Sequence, residues 1–296
     1  MNLPFPWELE LIYAVQSFRR PALDLFFKSI TALGNEEFYF LLLPLLLWCV
    51  DLAIGARIAA VFLLSTYANV GLKDLFGHPR PFVSDPSVKL YEVDGYGLPS
   101  GHAQLSVVVW GSVAHAFKRA RVWVVAGLLA ALIGFSRIYL GVHFPSDVLV
   151  GWLIGAFLLA AYVALHSDIE AWLEEKALST QLTIVAVLSL ALLVLHTTED
   201  VASLTGVLLG AGVGLALLRK HVNYHAGGPL WKRGVRYLIG IAGLIALRFG
   251  LGALSPGTGE RLQLALRFAR YAVLGSWIGL GAPWLFKKLR LTRSDG

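Results

Sequence analysis

Residues 136–165, SRIYLGVHFPSDVLVGWLIGAFLLAAYVAL, decide the fold. The first part holds Ser136, Arg137, His143 and Asp147, and the rest is an apolar run without further charge. Pro145 suits the first position of a helix, because its missing N–H would have no helical partner there. A helix over 145–165 is long enough to cross a hydrocarbon core. Four polar groups therefore gather at the mouth of a membrane helix, where ionisable side chains are expensive and default to function.

The same texture runs along the chain. Of its 296 residues 57% are hydrophobic and 15% charged, against roughly 25% charged in an ordinary soluble domain, so the bilayer is the main solvent. Merging apolar runs with their polar flanks predicts nine spanning helices, at 37–54, 55–75, 101–117, 121–138, 145–165, 180–197, 200–218, 236–254 and 263–286. The expected fold class is all-α, a polytopic transmembrane helix bundle. Residues 1–36 are expected to form interfacial helices, at Trp7 to Phe18 and Leu23 to Ile30, because Arg19 and Arg20 would fall in the middle of any crossing helix. Residues 37–165 form a five-helix core, 166–179 a solvated connector, and 180–296 a four-helix extension.

Basic residues sort the loops. Arg57, Lys118, Arg119, Arg121, Lys176, Arg219, Lys220, Lys232, Arg233, Arg236 and the tail with Lys287, Lys288, Arg290 and Arg293 fall on one side. The positive-inside rule makes that side cytoplasmic, with the C-terminus. The N-terminus and the segments 73–100, 139–144, Thr197 to Asp200 and Ser255 to Glu260 are then outside. A net charge of +6 reports topology here rather than nucleic-acid binding. Glu8 and Glu10 stand where a secretory signal would be basic, so the first span is expected to act as the targeting signal. The single cysteine, Cys49, can form no internal disulfide and reads as packing.

This topology brings three polar patches to the outer face. The first is Lys73 with Arg80 and Pro81. The second is Pro99, Ser100, Gly101 and His102 at the start of a span. The third is Ser136 and Arg137, then His143 and Asp147. Two guanidinium forks and an ammonium suit a phosphate dianion. Ser100 reads as an N-cap, and Gly101 allows an anion close to a helix start whose free N–H groups favour negative charge. Asp147, four residues after His143, can hold one imidazole nitrogen and leave the other free to attack. These groups together suit in-line phosphoryl transfer: His143 attacks phosphorus, Asp147 fixes its tautomer, and His102 protonates the leaving alkoxide. Water then hydrolyses the phosphohistidine. No cluster at ligand spacing calls for a metal, and no cofactor is expected.

At these residues the sequence resembles the type 2 phosphatidic acid phosphatase superfamily. Its signatures K-x6-R-P, P-S-G-H and S-R-x5-H-x3-D match Lys73 to Pro81, Pro99 to His102 and Ser136 to Asp147 without departure. The resemblance implies His143, His102 and Asp147 as catalytic residues and Lys73, Arg80, Ser100, Gly101 and Arg137 as phosphate ligands. Nine spans and the Gly34-Asn35-Glu36 segment are similar to the sphingosine-1-phosphate phosphatase and glucose-6-phosphatase branches. The implied activity is a metal-independent phosphatase of lipid mono- or diphosphates. Sphingoid-base phosphate, phosphatidic acid, phosphatidylglycerophosphate and polyprenyl diphosphate are the candidate substrates, met in a bacterial inner membrane or an endomembrane on its periplasmic or lumenal side.

Each residue also has a plainer reading. Singly, Lys73, Arg80 and Arg137 would be snorkelling cations or head-group contacts. Glu36 and His78 are secondary candidates for substrate contact, with helix capping and a loop role as their plainer alternatives. Arg248, Arg267 and Arg270 lie toward the outer ends of the last two spans, deeper than snorkelling explains, where they line a substrate path or pair with Glu199, Asp200 or Glu260. A lipid transporter or scramblase, or a silent lipid-binding protein, would need the same basic pocket but no nucleophile.

Overall fold

A computed structural model describes residues 6–222, 224–252 and 260–292. Among them every regular element is a helix: α1 (Pro6–Gln16), α2 (Pro21–Ala32), α3 (Glu36–Leu45), α4 (Leu52–Phe76), α5 (Pro81–Ser84), α6 (Gly101–Phe117), α7 (Ala120–Tyr139), α8 (Pro145–Glu174), α9 (Leu178–Leu195), α10 (Glu199–His221), α11 (Leu230–Gly252), α12 (Glu260–Ser276) and α13 (Ala282–Lys288). Residues 255–259 of the expected outer turn and Arg293 lie outside the described residues.

Local chemistry sets the boundaries. Pro21, Pro81 and Pro145 each open a helix. The Asp51 carboxylate accepts from the Ile54 amide at 2.9 Å and starts α4, and Thr198 does the same for α10 through Val201. Pro44 removes a helical donor inside α3, which passes into a π-turn at Leu46–Val50. A second π-turn at Trp277–Gly281 joins α12 to α13.

Each of the nine expected spans overlaps a helix or helices joined by a π-turn, with the boundary between the first two at Asp51 rather than 54/55 and residues 253–254 outside the described ones. The count of nine is not reached by length and hydropathy: six helices qualify, or seven if the bent pair Pro21–Ala32 and Glu36–Val50 is one span. Two physical reasons account for the difference. Helix α6 has 17 residues, just short of a crossing helix, and α12 carries Arg267 and Arg270 before its π-turn. The connector also differs from a plain loop, since α8 runs unbroken to Glu174 and only residues 175–177 separate it from α9.

The chain divides into two compact units, Met1–Phe40 with Leu64–Leu165, and Leu41–Leu63 with His166–Gly296. In the first, Ile12, Val88, Ala103, Ile138, Phe144 and Val148 form a buried core, and Phe27, Tyr139, Leu140 and Val142 form a second cluster. Helix α1 braces this unit with polar contacts. The Glu8 carboxylate, buried, accepts from the Ser146 amide at 2.8 Å at the start of α8. Gln16 Nε2 donates to the Val88 and Tyr139 carbonyls at 2.8 and 2.9 Å. Gly141, between α7 and α8, has φ +67° and leaves no room for a methyl group against the Val88 carbonyl, so the turn before His143 needs glycine for both reasons.

In the second unit Trp48 is fully buried and donates from Nε1 to the Ile278 carbonyl at 3.0 Å. Cys49 is buried as packing, with Sγ 3.2 Å from the Arg233 carbonyl. Arg236 is not the spare loop charge that the charge pattern suggests. It is fully buried and donates to the carbonyls of His225, Ala226 and Gly227, closing the turn before α11. Along α10, Gly206 leaves the Phe268 carbonyl within 2.5 Å of where a Cβ would stand, the close approach expected of glycines in membrane helices.

Candidate active site

The first unit gathers all three patches at one place. Lys73 ends α4, Arg80 stands just before α5, His102 is in the first turn of α6, Arg137 in the last turn of α7, and Asp147 in the first turn of α8. His143 occupies the turn between α7 and α8.

His143 is 2% exposed and held from both sides. Its Nδ1 lies 3.2 Å from Asp147 Oδ2, an oxygen that also accepts from the Phe144 amide at 3.0 Å. Its Nε2 lies 3.1 Å from Arg80 Nη1. A guanidinium only donates, so Nε2 is the accepting nitrogen and Nδ1 carries the proton toward Asp147. The lone pair that could attack is therefore the one beside Arg80. Burial, and then the cations Arg80, Arg137 and Lys73, hold the His143 imidazole well below its ordinary pKa of 6.5.

Arg80 and Lys73 are fixed by backbone oxygens and Arg137 by a hydroxyl, and among the described residues none of them by a carboxylate. Arg80 donates to the carbonyls of Gly95, Val142 and Asp94 at 2.8, 2.9 and 2.9 Å. Lys73 Nζ donates to the Tyr96 carbonyl at 2.6 Å. Arg137, 1% exposed, donates from Nη1 to Thr31 Oγ1 at 2.6 Å and lies 5.6 Å from the centre of the Tyr91 ring. Among the described residues its Nε and the Ser100 hydroxyl, both buried, have no hydrogen-bond partner. Buried donors are rarely left unmatched, and here they border a cluster of three cations faced by the Asp147 carboxylate, with Asp94 opposing Arg80 and Asp74 opposing Lys73. Donors and cations arranged in this way suit a phosphate dianion.

His102 Nε2 is 2.9 Å from Asn35 Oδ1, and Asn35 Nδ2 donates to Tyr91 OH at 3.3 Å. A carboxamide oxygen only accepts, so Nε2 is the ring nitrogen that carries a proton. Beneath the α6 start, Asn69 Nδ2 donates to the Pro99 carbonyl at 3.3 Å and to Gln104 Oε1 at 2.9 Å, and Gln104 Nε2 reaches the Ser65 carbonyl at 2.8 Å. This buried network holds the Pro99–His102 turn, and the Ser100 amide donates to the Asp147 carbonyl at 2.9 Å.

Two expectations change in detail. Ser100 occupies the N-cap position of α6, yet its hydroxyl makes no capping bond. A Cβ on Gly101 would come within 2.9 Å of Asn69 Oδ1, so glycine there serves packing beneath the turn as well as access from above. Of the secondary candidates, His78 Nδ1 lies 3.4 Å from Asp147 Oδ1, on the carboxylate's other oxygen, with its ring edge-on to Phe144. Glu36 is exposed at the start of α3. Sequence reasoning passed over Asn35, Thr31, Tyr91, Asn69, Gln104 and Glu8. Asn35 alone left a signal, in the Gly34-Asn35-Glu36 segment.

Comparison with known proteins returns two family models. The PAP2 superfamily model matches residues 54–171, and the model of the PAP2 superfamily phosphatase transmembrane extension matches residues 202–294. The second covers a region in which the sequence displayed no signature. The sphingosine-1-phosphate phosphatase 1 of Rattus norvegicus is 28% identical over 249 residues, 80% of this chain and 57% of that protein. A probable sphingosine-1-phosphate phosphatase of Dictyostelium discoideum is 28% identical over 70% of this chain and 56% of its own length. The chain thus spans little more than half the length of these relatives. The phosphatidylglycerophosphatase B of Bacillus subtilis is 30% identical over 161 residues, 73% of its length. Among solved structures, Aquifex aeolicus LpxE superposes with a TM-score of 0.51 at 30% identity, over 55% of this chain and 99% of that one.

Proposed function

The chain belongs to the PAP2 superfamily and is an integral membrane protein, and from that premise we propose that it is a lipid phosphatase working through a phosphohistidine on His143. The observation that carries this reading is the double hold on His143: Nδ1 on Asp147 and Nε2 beside Arg80, within a cluster of three cations. Such a pocket recruits a phosphate dianion and presents it to an accepting nitrogen at its floor.

In the proposed sequence the substrate phosphate draws Arg80 to its oxygens and frees the Nε2 lone pair. Nε2 attacks phosphorus in line, the P–O bond to the lipid breaks, and His102 gives its proton to the departing alkoxide. Lys73, Arg80, Arg137 and the backbone amides at Gly101 and His102 stabilise charge on the equatorial oxygens. Asp147 offsets the positive charge that develops on His143. A water molecule, deprotonated by His102, then attacks the phosphohistidine, releasing phosphate and restoring both histidines. Every group invoked belongs to the protein, so activity should persist with EDTA present.

The proposed substrate is a lipid phosphate monoester, with sphingoid-base phosphate first. Relatives named for that substrate match across both the front half and the extension, whereas the bacterial phosphatidylglycerophosphatase B matches 47% of this chain. The test is phosphate release by the detergent-purified protein with EDTA, over a panel of sphingoid-base phosphate, phosphatidic acid, phosphatidylglycerophosphate and polyprenyl diphosphate. Lipids that bind without release from any of them would overturn the enzyme reading in favour of transport or sensing.

A pH consequence follows from the burial of His143. With its pKa held down, the imidazole is neutral and nucleophilic at pH 7 and remains so as pH falls through 6.5; protonation, and loss of the nucleophile, comes only below that. In a ¹⁵N-histidine titration of the substrate-free protein, the resonance lost in His143→Gln should show no midpoint near 6.5. A midpoint there would mean an open, solvated imidazole.

The site is proposed to face the non-cytoplasmic side, because the basic loops lie on the other. A green fluorescent protein fused to the C-terminus should therefore fluoresce in a bacterial host, and a dark fusion with active C-terminal alkaline phosphatase would reverse the topology.

A further inference from the structure

A second cationic cavity lies in the transmembrane extension, between the C-terminal end of α11 and α12. It measures about 430 Å³ and is lined by Arg248, Arg267, Arg270, Tyr271, Phe249 and Leu274. It shares no residue with the site around His143. Its size falls within the range of small-ligand pockets.

Among the described residues the charges there do not balance. Arg267 is accounted for: it pairs with Glu199, stands 3.8 Å from Asp200 and donates from Nε to Ser203 Oγ at 2.8 Å. Arg248 and Arg270 form no ion pair among the described residues. Arg248 Nη1 donates to Tyr271 OH at 3.2 Å, and the Arg270 guanidinium lies 5.5 Å from the Tyr271 ring centre. Because Tyr271 accepts from Arg248, its own hydroxyl hydrogen remains to donate. The cavity thus offers two guanidinium forks and a phenol, all donors, to whatever enters.

Arg248 sits at the end of α11, a 23-residue helix long and apolar enough to cross a membrane, and Arg270 and Tyr271 face it from α12. Unmatched cations near the hydrocarbon are costly unless an anion joins them. Beside them Phe249 is 71% exposed, an aromatic ring left largely uncovered by protein. Guanidinium donors flanked by a bare apolar ring fit a phosphate that carries acyl chains better than a free, hydrated ion.

We infer that this cavity binds the head group of an anionic phospholipid from the surrounding leaflet, with its phosphate between Arg248 and Arg270 and its chains along Phe249. The ligand is a resident of the extension rather than a substrate, and the inference stands whether or not the protein hydrolyses lipid phosphates. Native mass spectrometry of the full chain, delipidated in neutral detergent, tests it with dioleoyl phosphatidylglycerol as probe. Arg248→Gln/Arg270→Gln should weaken retention of one phosphatidylglycerol by roughly tenfold or more, whereas Arg248→Lys/Arg270→Lys, which keeps the charge but not the fork, should fall between that variant and wild type. Phosphatidylcholine should bind weakly to all, and excess inorganic phosphate should not displace the lipid.

Equal retention by wild type and the glutamine variant would overturn the inference. Displacement by inorganic phosphate would overturn it too, showing a site for free anions. Tyr271→Phe removes one hydroxyl only, so it provides the reading if the double variant does not fold, with a smaller loss expected and an unchanged affinity counting against the site.

Discussion

Replacing His143 with alanine is expected to lower phosphate release by roughly 10⁴-fold or more, the scale seen when a covalent nucleophile is removed from an enzyme whose other groups remain. The variant leaves Arg80 with its three carbonyl partners and Asp147 with the Phe144 amide, so the pocket keeps its shape and charge. Substrate should still bind. Loss of kcat with little change in KM is therefore the expected split. A rate loss by itself would also follow if His143 merely activated water, so the distinguishing measurement is stereochemical. Two successive displacements on a substrate made chiral at phosphorus give net retention, while direct attack by water gives inversion. Inversion in the wild type would remove the phosphohistidine and leave His143 as a general base.

His102→Gln should behave differently from one substrate to the next. If His102 supplies the proton to the leaving alkoxide, a lipid phosphate loses about 10²- to 10⁴-fold in rate, the usual worth of general acid catalysis. An aryl phosphate, whose phenolate departs without a proton, should lose far less in the phosphorylation step, within about tenfold. Single-turnover measurement isolates that step from the later attack by water, which also calls on His102. Similar losses for both substrates would mean that His102 does not serve the leaving group. Asn35→Leu should follow the same pattern at smaller size, because the carboxamide acts only through the ring it orients at 2.9 Å.

Asn35 also illustrates what a sequence conceals. It stands 67 residues from His102, and nothing in its neighbourhood marks it as a partner of the second signature. The same is true of Glu8, which reads as one more charge in an amphipathic helix and proves to be a buried carboxylate at the start of α8. Thr31 and Arg137 are 106 residues apart and meet only because α2 packs on α7. By contrast His143 and Asp147 meet through one helical turn and its preceding residue, a spacing that can be read directly.

The sequence by itself determined the helical membrane architecture, because apolar runs of that length have no other solution in lipid, where every backbone group must be satisfied within its own segment. It also marked which polar residues are candidates for chemistry, since three groups of charged and polar side chains at one membrane face are costly to place there without a use. Only the tertiary structure decided which nitrogen of His143 faces Arg80, that the Ser100 hydroxyl does not cap its helix, and that Arg236 is buried on backbone carbonyls. These depend on where carbonyl oxygens from distant segments arrive, and a hydropathy pattern carries no information about them. The same holds for the span count: a 17-residue helix, a proline followed by a π-turn and a bent helix pair are settled by packing, not by summed hydrophobicity.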